Sequence, residues 1–310
     1  MASFFIDGAT DSVYCRVRDG VREEHVRSRT YLNLLWQECA QYIDSGAKKK
    51  ALRELTPVFW ELHLAYSLKR QGKALVPRPQ LGFQNNKGPD LFATNPDVWI
   101  EAVIATNGTG NDALERPEFG ECVDPDIDGV VLRLRSVIRD KSIKFQGYII
   151  DNVIKPGQAI VIAISGLALH HTYKHSGLYP PEIVRAVYPV NHQSIDFNLR
   201  TGAVSEPYLQ YRNRIDKLCG ASVLTDVFLD PDFAFISAVL YSEADWGGGP
   251  ERAGMDFVLV HNTSALTPLP DSWMPVGDEY WWRDGQLYRQ HHNEVQLNRA
   301  NTDVMFGIQS

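Results

Sequence analysis

Two acidic residues on either side of one short turn are the first feature of this sequence that could do chemistry. Asp90 follows Gly88-Pro89, and Glu101 stands eleven positions later, beyond a turn signalled by Asn95-Pro96-Asp97. A hairpin centred on Asn95-Pro96 sets the two acids opposite one another, within one residue of register. Cross-strand neighbours hold their Cβ atoms roughly 4.5–5.5 Å apart. Two carboxylates that close repel, and one takes up a proton unless a cation lies between them. A divalent hard cation with oxygen ligands resolves the conflict. Glu101 is also the single charge in VWIEAVIAT, where an unpaired buried charge is costly. Two plainer readings compete: one face of that strand is exposed, or Glu101 pairs with an arginine.

Glu61, in FWELHLAYSLKRQG, sits inside a helix, where a glutamate is ordinarily solvated. Lys141 falls on the apolar stripe formed by Leu134, Ile138, Phe145 and Tyr148 of a long helix. A lysine there needs an anionic partner or must snorkel to water. Lys144 lies about 60° further round the helix and is the second candidate. Arg133, Arg135 and Arg139 on the same helix, with Arg212 and Arg214 in YLQYRNRIDK, could line a phosphate-contacting face.

The elements that must position these groups are legible as patterns. A helix is expected over 21–45 and a second from Thr56-Pro57 to Gly72, with the basic stretch Lys48-Lys49-Lys50 between them. Strands are expected at 74–79, 89–94 and 98–106, followed by a long polar loop over 107–128. A helix over 129–152 leads into QAIVIAIS, the pattern of a strand buried on both faces. Beyond Pro180 come a short helix and strand signals at 194–199, 234–241 and 256–261. The reading is a mixed α/β (α+β) fold, with a helical segment 1–54, a core over 55–179 and a β-rich region over 180–310 packed on that core.

Composition narrows the class. The 310 residues are 44% hydrophobic and 22% charged, which excludes a disordered or low-complexity chain. The net charge of −7 argues against attraction to nucleic acid by bulk charge, while leaving room for a local basic groove. Four scattered cysteines, Cys15, Cys39, Cys122 and Cys219, form no CxxC pair and support neither a zinc site nor a disulfide framework. With no signal-peptide pattern and no long apolar run, a soluble cytoplasmic protein is expected.

The order αβββαβ, with Gly88-Pro89-Asp90, then Trp99-Ile100-Glu101-Ala102-Val103, then a lysine-bearing helix, resembles the PD-(D/E)XK, restriction-endonuclease-like nuclease superfamily. The resemblance covers residues 55–166. Pro89-Asp90 looks like the family's "PD" and Glu101 like its "(D/E)", while Glu61 resembles a first-helix glutamate that many members add to the metal site. Val103 stands where the motif has its lysine; some members carry that lysine on the following helix, which Lys141 fits, with Lys144 and Gln146 as the fallback. The resemblance implies hydrolysis of phosphodiester bonds in nucleic acid, DNA first, in defence against foreign DNA or in repair. It implies Mg²⁺ or Mn²⁺ held by Asp90, Glu101 and the Ala102 carbonyl, with Glu61 completing the shell, and a homodimer. Lys141 is expected beside the two carboxylates, with Lys144 outward. The alternative is a nuclease-fold module without catalysis that binds nucleic acid or a protein partner.

Other features have plainer readings. His170, His171 and His175 lack a third ligand at a convincing interval, and His291-His292 lies in a polar stretch. Gly247-Gly248-Gly249 reads as a hairpin loop. The aromatic group Trp273, Tyr280, Trp281 and Trp282, next to Arg283, reads as closing a β core rather than stacking bases.

Overall fold

The computed structural model describes residues 3–309, apart from 84–86, 111–112, 117, 119–123, 171–179, 218, 248–251 and 293–301; for 302–309 it describes the backbone alone. His171, His175, Cys122 and Gly248-Gly249 therefore lie outside the described residues.

Four helices open the chain: α1 (Ser12–Asp19), α2 (Glu23–Cys39), the short α3 (Ala47–Ala51) and α4 (Leu55–Arg70). Helix α4 ends at Gln71, followed by Gly72 at φ +80°, a backbone geometry that glycine adopts without a Cβ clash. Strands β1 (Ala74–Leu75), β2 (Leu91–Thr94) and β3 (Val98–Thr106) come next, then α5 (Ile127–Ile150) and β4 (Ala159–Ala168). Helix α5 is capped by the Asp126 carboxylate, which accepts the Gly129 N–H at 2.8 Å. The remainder comprises α6 (Glu182–Arg185), β5 (Val190–Ser194), β6 (Tyr208–Tyr211), β7 (Arg214–Asp216), β8 (Ser222–Leu224), β9 (Ala238–Ser242), β10 (Val258–His261), β11 (Gly277–Arg283), β12 (Gln286–His292) and β13 (Thr302–Gln309).

Eleven strands form one mixed sheet in the order β1-β2-β3-β4-β9-β10-β11-β12-β13-β6-β5, and β7 pairs with β8 apart from it. β2 and β3 are antiparallel, whereas β3, β4 and β9 run parallel. Parallel neighbours need a crossover, and α5 supplies it between β3 and β4. The sheet runs without a break from β4 into β9, so strands from beyond residue 180 extend the core's own sheet. Strand side chains alternate between two hydrophobic layers. Trp99, Ile160, Ile162 and Val239 pack with Leu134, Ile138 and Phe145 of α5. Val98, Ile100, Val161 and Leu240 pack with Leu55, Phe59 and Leu62 of α4. Burial on both faces explains why β4 reads as a continuous apolar run. Among the described residues no helix is long and apolar enough to cross a membrane.

Two expected strands are displaced. The signal at 194–199 belongs to β5 only at its first residue, and the one at 234–241 starts late, at Ala238, after a 3-10 turn over Pro231–Phe233. The aromatic group packs into the β core as expected: Trp273, Tyr280 and Trp281 are buried, and Trp282 stacks on Tyr188 at 5.6 Å.

The β4–β9 seam is tight. A Cβ on Gly166 would stand 2.1 Å from the Tyr241 hydroxyl, which itself donates to Glu243 Oε1. Gly166→Ala is expected to cost about 1–3 kcal/mol by overpacking. The check is the urea midpoint; a value equal to the parent's would contradict this packing.

Candidate functional site

The β2–β3 register pairs Leu91 with Ile100, Phe92 with Trp99 and Ala93 with Val98. Continued one step outward, it sets Asp90 across from Glu101. The alternation of β3 turns Glu101 toward α5, the same side as Trp99. Asp90 Oδ2 accepts the Ala102 N–H at 2.8 Å. In an extended strand the N–H and C=O of one residue point the same way, so the Ala102 carbonyl also faces Asp90.

Helix α5 brings two ammonium groups to the Glu101 carboxylate. Lys141 Nζ stands 2.8 Å and Lys144 Nζ 2.5 Å from the same oxygen, Oε1. Lys144 is thus turned inward as well, contrary to the outward position expected from its angle on the helix. The lysine stem explains this: its methylenes let the amine reach back over the preceding turn. The Lys144 side chain remains 45% exposed and that of Lys141 20%. Glu101 is fully buried, and its second oxygen, Oε2, has no hydrogen-bond partner among the described residues. Burial works against the Lys144 ammonium, but Glu101 and Tyr148 outweigh it and raise the pKa. Burial and the Glu101 charge likewise raise the Tyr148 hydroxyl.

Asp90 is pushed up to about 7, first by burial, then by the Glu101 and Glu61 charges; the Ala102 N–H and Lys144 offset part of this. Glu61 reaches the site from α4, where Lys50 of α3 meets its Oε1 at 3.0 Å. Burial opposes the Lys50 charge, yet Glu61 and Asp90 raise its pKa. Asp44, Lys50, Glu61, Arg78 and Asp90 line one pocket of about 270 Å³. Arg78 fixes the backbone there: its Nη1 donates to the carbonyls of Pro89 at 2.5 Å and Asp90 at 2.9 Å. Its guanidinium lies 5.2 Å from the Phe83 ring, which packs so closely on Gly88 that a Cβ would stand 2.3 Å from it.

The fit to a hard divalent cation can be judged from these groups. Carboxylate and carbonyl oxygens are the donors such an ion takes. The unpartnered Glu101 Oε2 and the strained charge at Asp90 both favour one. Among the described residues, no three His, Cys, Asp or Glu side chains are grouped so as to hold an ion as they stand. The acids come as the pair Asp90–Glu101, with Glu61 turned to Lys50.

Lys50, Arg78 and Tyr148 are the site residues that sequence reasoning missed. Lys50 was hidden in a run of three lysines, and the one signal for Arg78 was its place between Pro77 and Pro79. Other expected residues lie apart. Gln146 is exposed, about 140° round the helix from Lys141. Arg133 donates to the Thr106 carbonyl, and Arg135 donates to that of Leu224 while lying over Phe233. Arg212 forms a bidentate pair with Asp128, thirteen residues from Lys141 and so about 20 Å along α5. Arg139 and Arg214 are exposed. His291 and His292 contact Asp278 and Glu279. Cys15, Cys39 and Cys219 are free thiols.

Comparison with family models, curated proteins and solved structures finds no match to this chain.

Proposed function

We propose that this chain is a metal-dependent nuclease with a restriction-endonuclease-like core of the PD-(D/E)XK type, formed by α4, β1, β2, β3, α5 and β4. The carrying observation is the buried Glu101, in register with Asp90, held at one oxygen by Lys141 and Lys144 and open at the other. Charge-assisted bonds of this kind fix a carboxylate's orientation. A chain that placed Glu101 for stability alone would have no use for a second acid opposite it.

Asp90, Glu101 and the Ala102 carbonyl would hold Mg²⁺ or Mn²⁺, with Glu61 at the rim. When bound, the ion would acidify a water molecule and neutralise charge developing on the phosphoryl group. Lys141, the less exposed amine, would orient that water and, once its own ammonium proton had left, take up the proton the water gives. Lys144 would stabilise the transition-state charge, a cation worth more in a partly dry site. Lys50 and Arg78 add positive charge along the pocket wall toward the non-bridging oxygens of a phosphodiester.

Incubation with plasmid, single-stranded DNA and RNA in Mg²⁺ or Mn²⁺ is expected to give cleavage of at least one of them, and EDTA is expected to abolish it. Cleavage that survives EDTA would overturn the mechanism. Val103 favours the other reading, a nuclease-fold module without catalysis, because it packs against the core where the family motif has its lysine. Mn²⁺ binding and nucleic-acid binding without cleavage would support that module.

A further inference from the structure

Strands β5 and β6 run on past the body of the sheet as an arm, residues 195–205. Its limbs are joined by the Asn198 N–H to the Ala203 carbonyl at 2.8 Å and the Ser205 N–H to the Asp196 carbonyl at 2.9 Å, with Phe197 bridged to Val204. Residues 196 and 198 therefore turn their backbone groups inward, those of Ile195 and Phe197 point outward, and Leu199 begins the turn at the tip. That outward side continues the free edge of the sheet, since β5 is the terminal strand and no described strand pairs beyond it.

The side chains are as open as the backbone. Ile195 and Phe197 alternate onto one face, Val204 lies across from Phe197, and Leu199 stands at the tip. They are 59%, 58%, 58% and 91% exposed. Asp196 is the only charge along 194–199 and its carboxylate is held by the Tyr208 hydroxyl at 3.0 Å. No lysine or proline blunts the edge over 194–199, and the bulge in β5 lies before it, between Val190 and Gln193.

We propose that the arm is a self-association surface, on which a second copy of this chain pairs antiparallel about a two-fold axis at Phe197. The segment is complementary to itself. Phe197 meets Phe197 and Asp196 meets Asn198, while Ile195 faces Leu199 where the turn begins. No like charges stand directly opposite; the two Asp196 side chains are diagonal neighbours, each held by its own Tyr208 hydroxyl. The outward backbone groups of Phe197 meet their own copies at the axis, so the ladder closes at the centre of the free edge. The four apolar side chains expose on the order of 450 Å², and the strand edge with its polar flanks brings each copy toward the ~800 Å² per partner of a standard interface.

Sedimentation velocity and light scattering of the full chain at micromolar concentration are expected to show a dimer. Phe197→Asp should raise its Kd by about tenfold or more, as removal of a central aromatic anchor does. The far-UV spectrum should stay unchanged, because the side chain is exposed. Phe197→Cys should form a covalent dimer on oxidation, since directly paired residues have Cα atoms about 5.5 Å apart, within disulfide reach. The parent with its own cysteines is the control. A parent that stays monomeric overturns the proposal, as does a dimer that Phe197→Asp leaves intact and Phe197→Cys fails to cross-link.

Discussion

Replacing Asp90 with asparagine is expected to abolish metal-dependent cleavage and, in mildly alkaline buffer with EDTA, to raise the melting temperature. The loss of activity follows from removing one of the two opposed carboxylates. The gain follows from linkage. The Asp90 pKa is about 7 in the folded chain against an ordinary value of 3.8. Between those two values the folded state binds more protons than the unfolded one, so stability falls as pH rises. Above the folded value the ionised carboxylate is a standing cost, from burial and from Glu101 and Glu61. Asparagine removes the charge while its amide oxygen can still accept the Ala102 N–H. A gain of about 1–2 kcal/mol is expected, below the full shift because Asp90 is only half-buried and keeps part of its hydration. EDTA is needed because an ion bound to the folded parent would mask the effect. Melts of parent and variant should converge as the buffer is taken to the acid side of both values. A variant less stable than the parent in alkaline buffer would contradict the assignment of Asp90 as a strained charge.

The second large effect concerns Lys141 and Lys144, and it is an effect on additivity. Each donates to the same Glu101 oxygen, so either single alanine leaves the carboxylate paired. Each single replacement should cost about 1 kcal/mol or less in stability, whereas the double should cost about 3 kcal/mol or more, because a buried carboxylate is then left with no counter-charge. Activity should divide differently. Lys141→Ala is expected to lower kcat about 10²–10⁴-fold, the range for a lost acid–base group, and Lys144→Ala about tenfold, because the more exposed Lys144 ammonium is screened by water. A double-mutant cycle in urea checks the first statement and single-turnover cleavage the second. Strict additivity of the two stabilities would mean that the shared oxygen carries no coupling.

The pairing of Asp90 with Glu101 was legible because a two-residue turn makes register a matter of counting outward from Asn95 and Pro96. Lys141 was legible from helical spacing. Lys144 was misjudged because angle on a helix locates Cα, while four methylenes decide where the amine goes. Helix α3 escaped notice because five residues carry no period, and with it went Lys50. The β11–β12 hairpin was missed although its signal was present: Asp284-Gly285 both take positive φ, 50° and 74°, as a two-residue hairpin turn requires. The signal at 194–199 reads as a strand, and periodicity alone does not say whether the partner of an apolar face belongs to the same chain.

The parallel seam between β4 and β9 also has a consequence in time. Strand β4 ends at Ala168 and its neighbour begins at Ala238, seventy residues later. A ribosome adding roughly 5–20 residues per second needs about 4–14 s to supply that neighbour. Throughout the interval one of the most apolar strands of the chain waits beside β3 with an open side, while the hairpin bearing Asp90 and Glu101 is already made. A nascent chain halted in this window would present a sticky edge before it presented a finished site. Slowed translation over 169–237, or loss of the chaperones that shield emerging strands, should therefore lower the soluble yield far more than the same disturbance placed after His261.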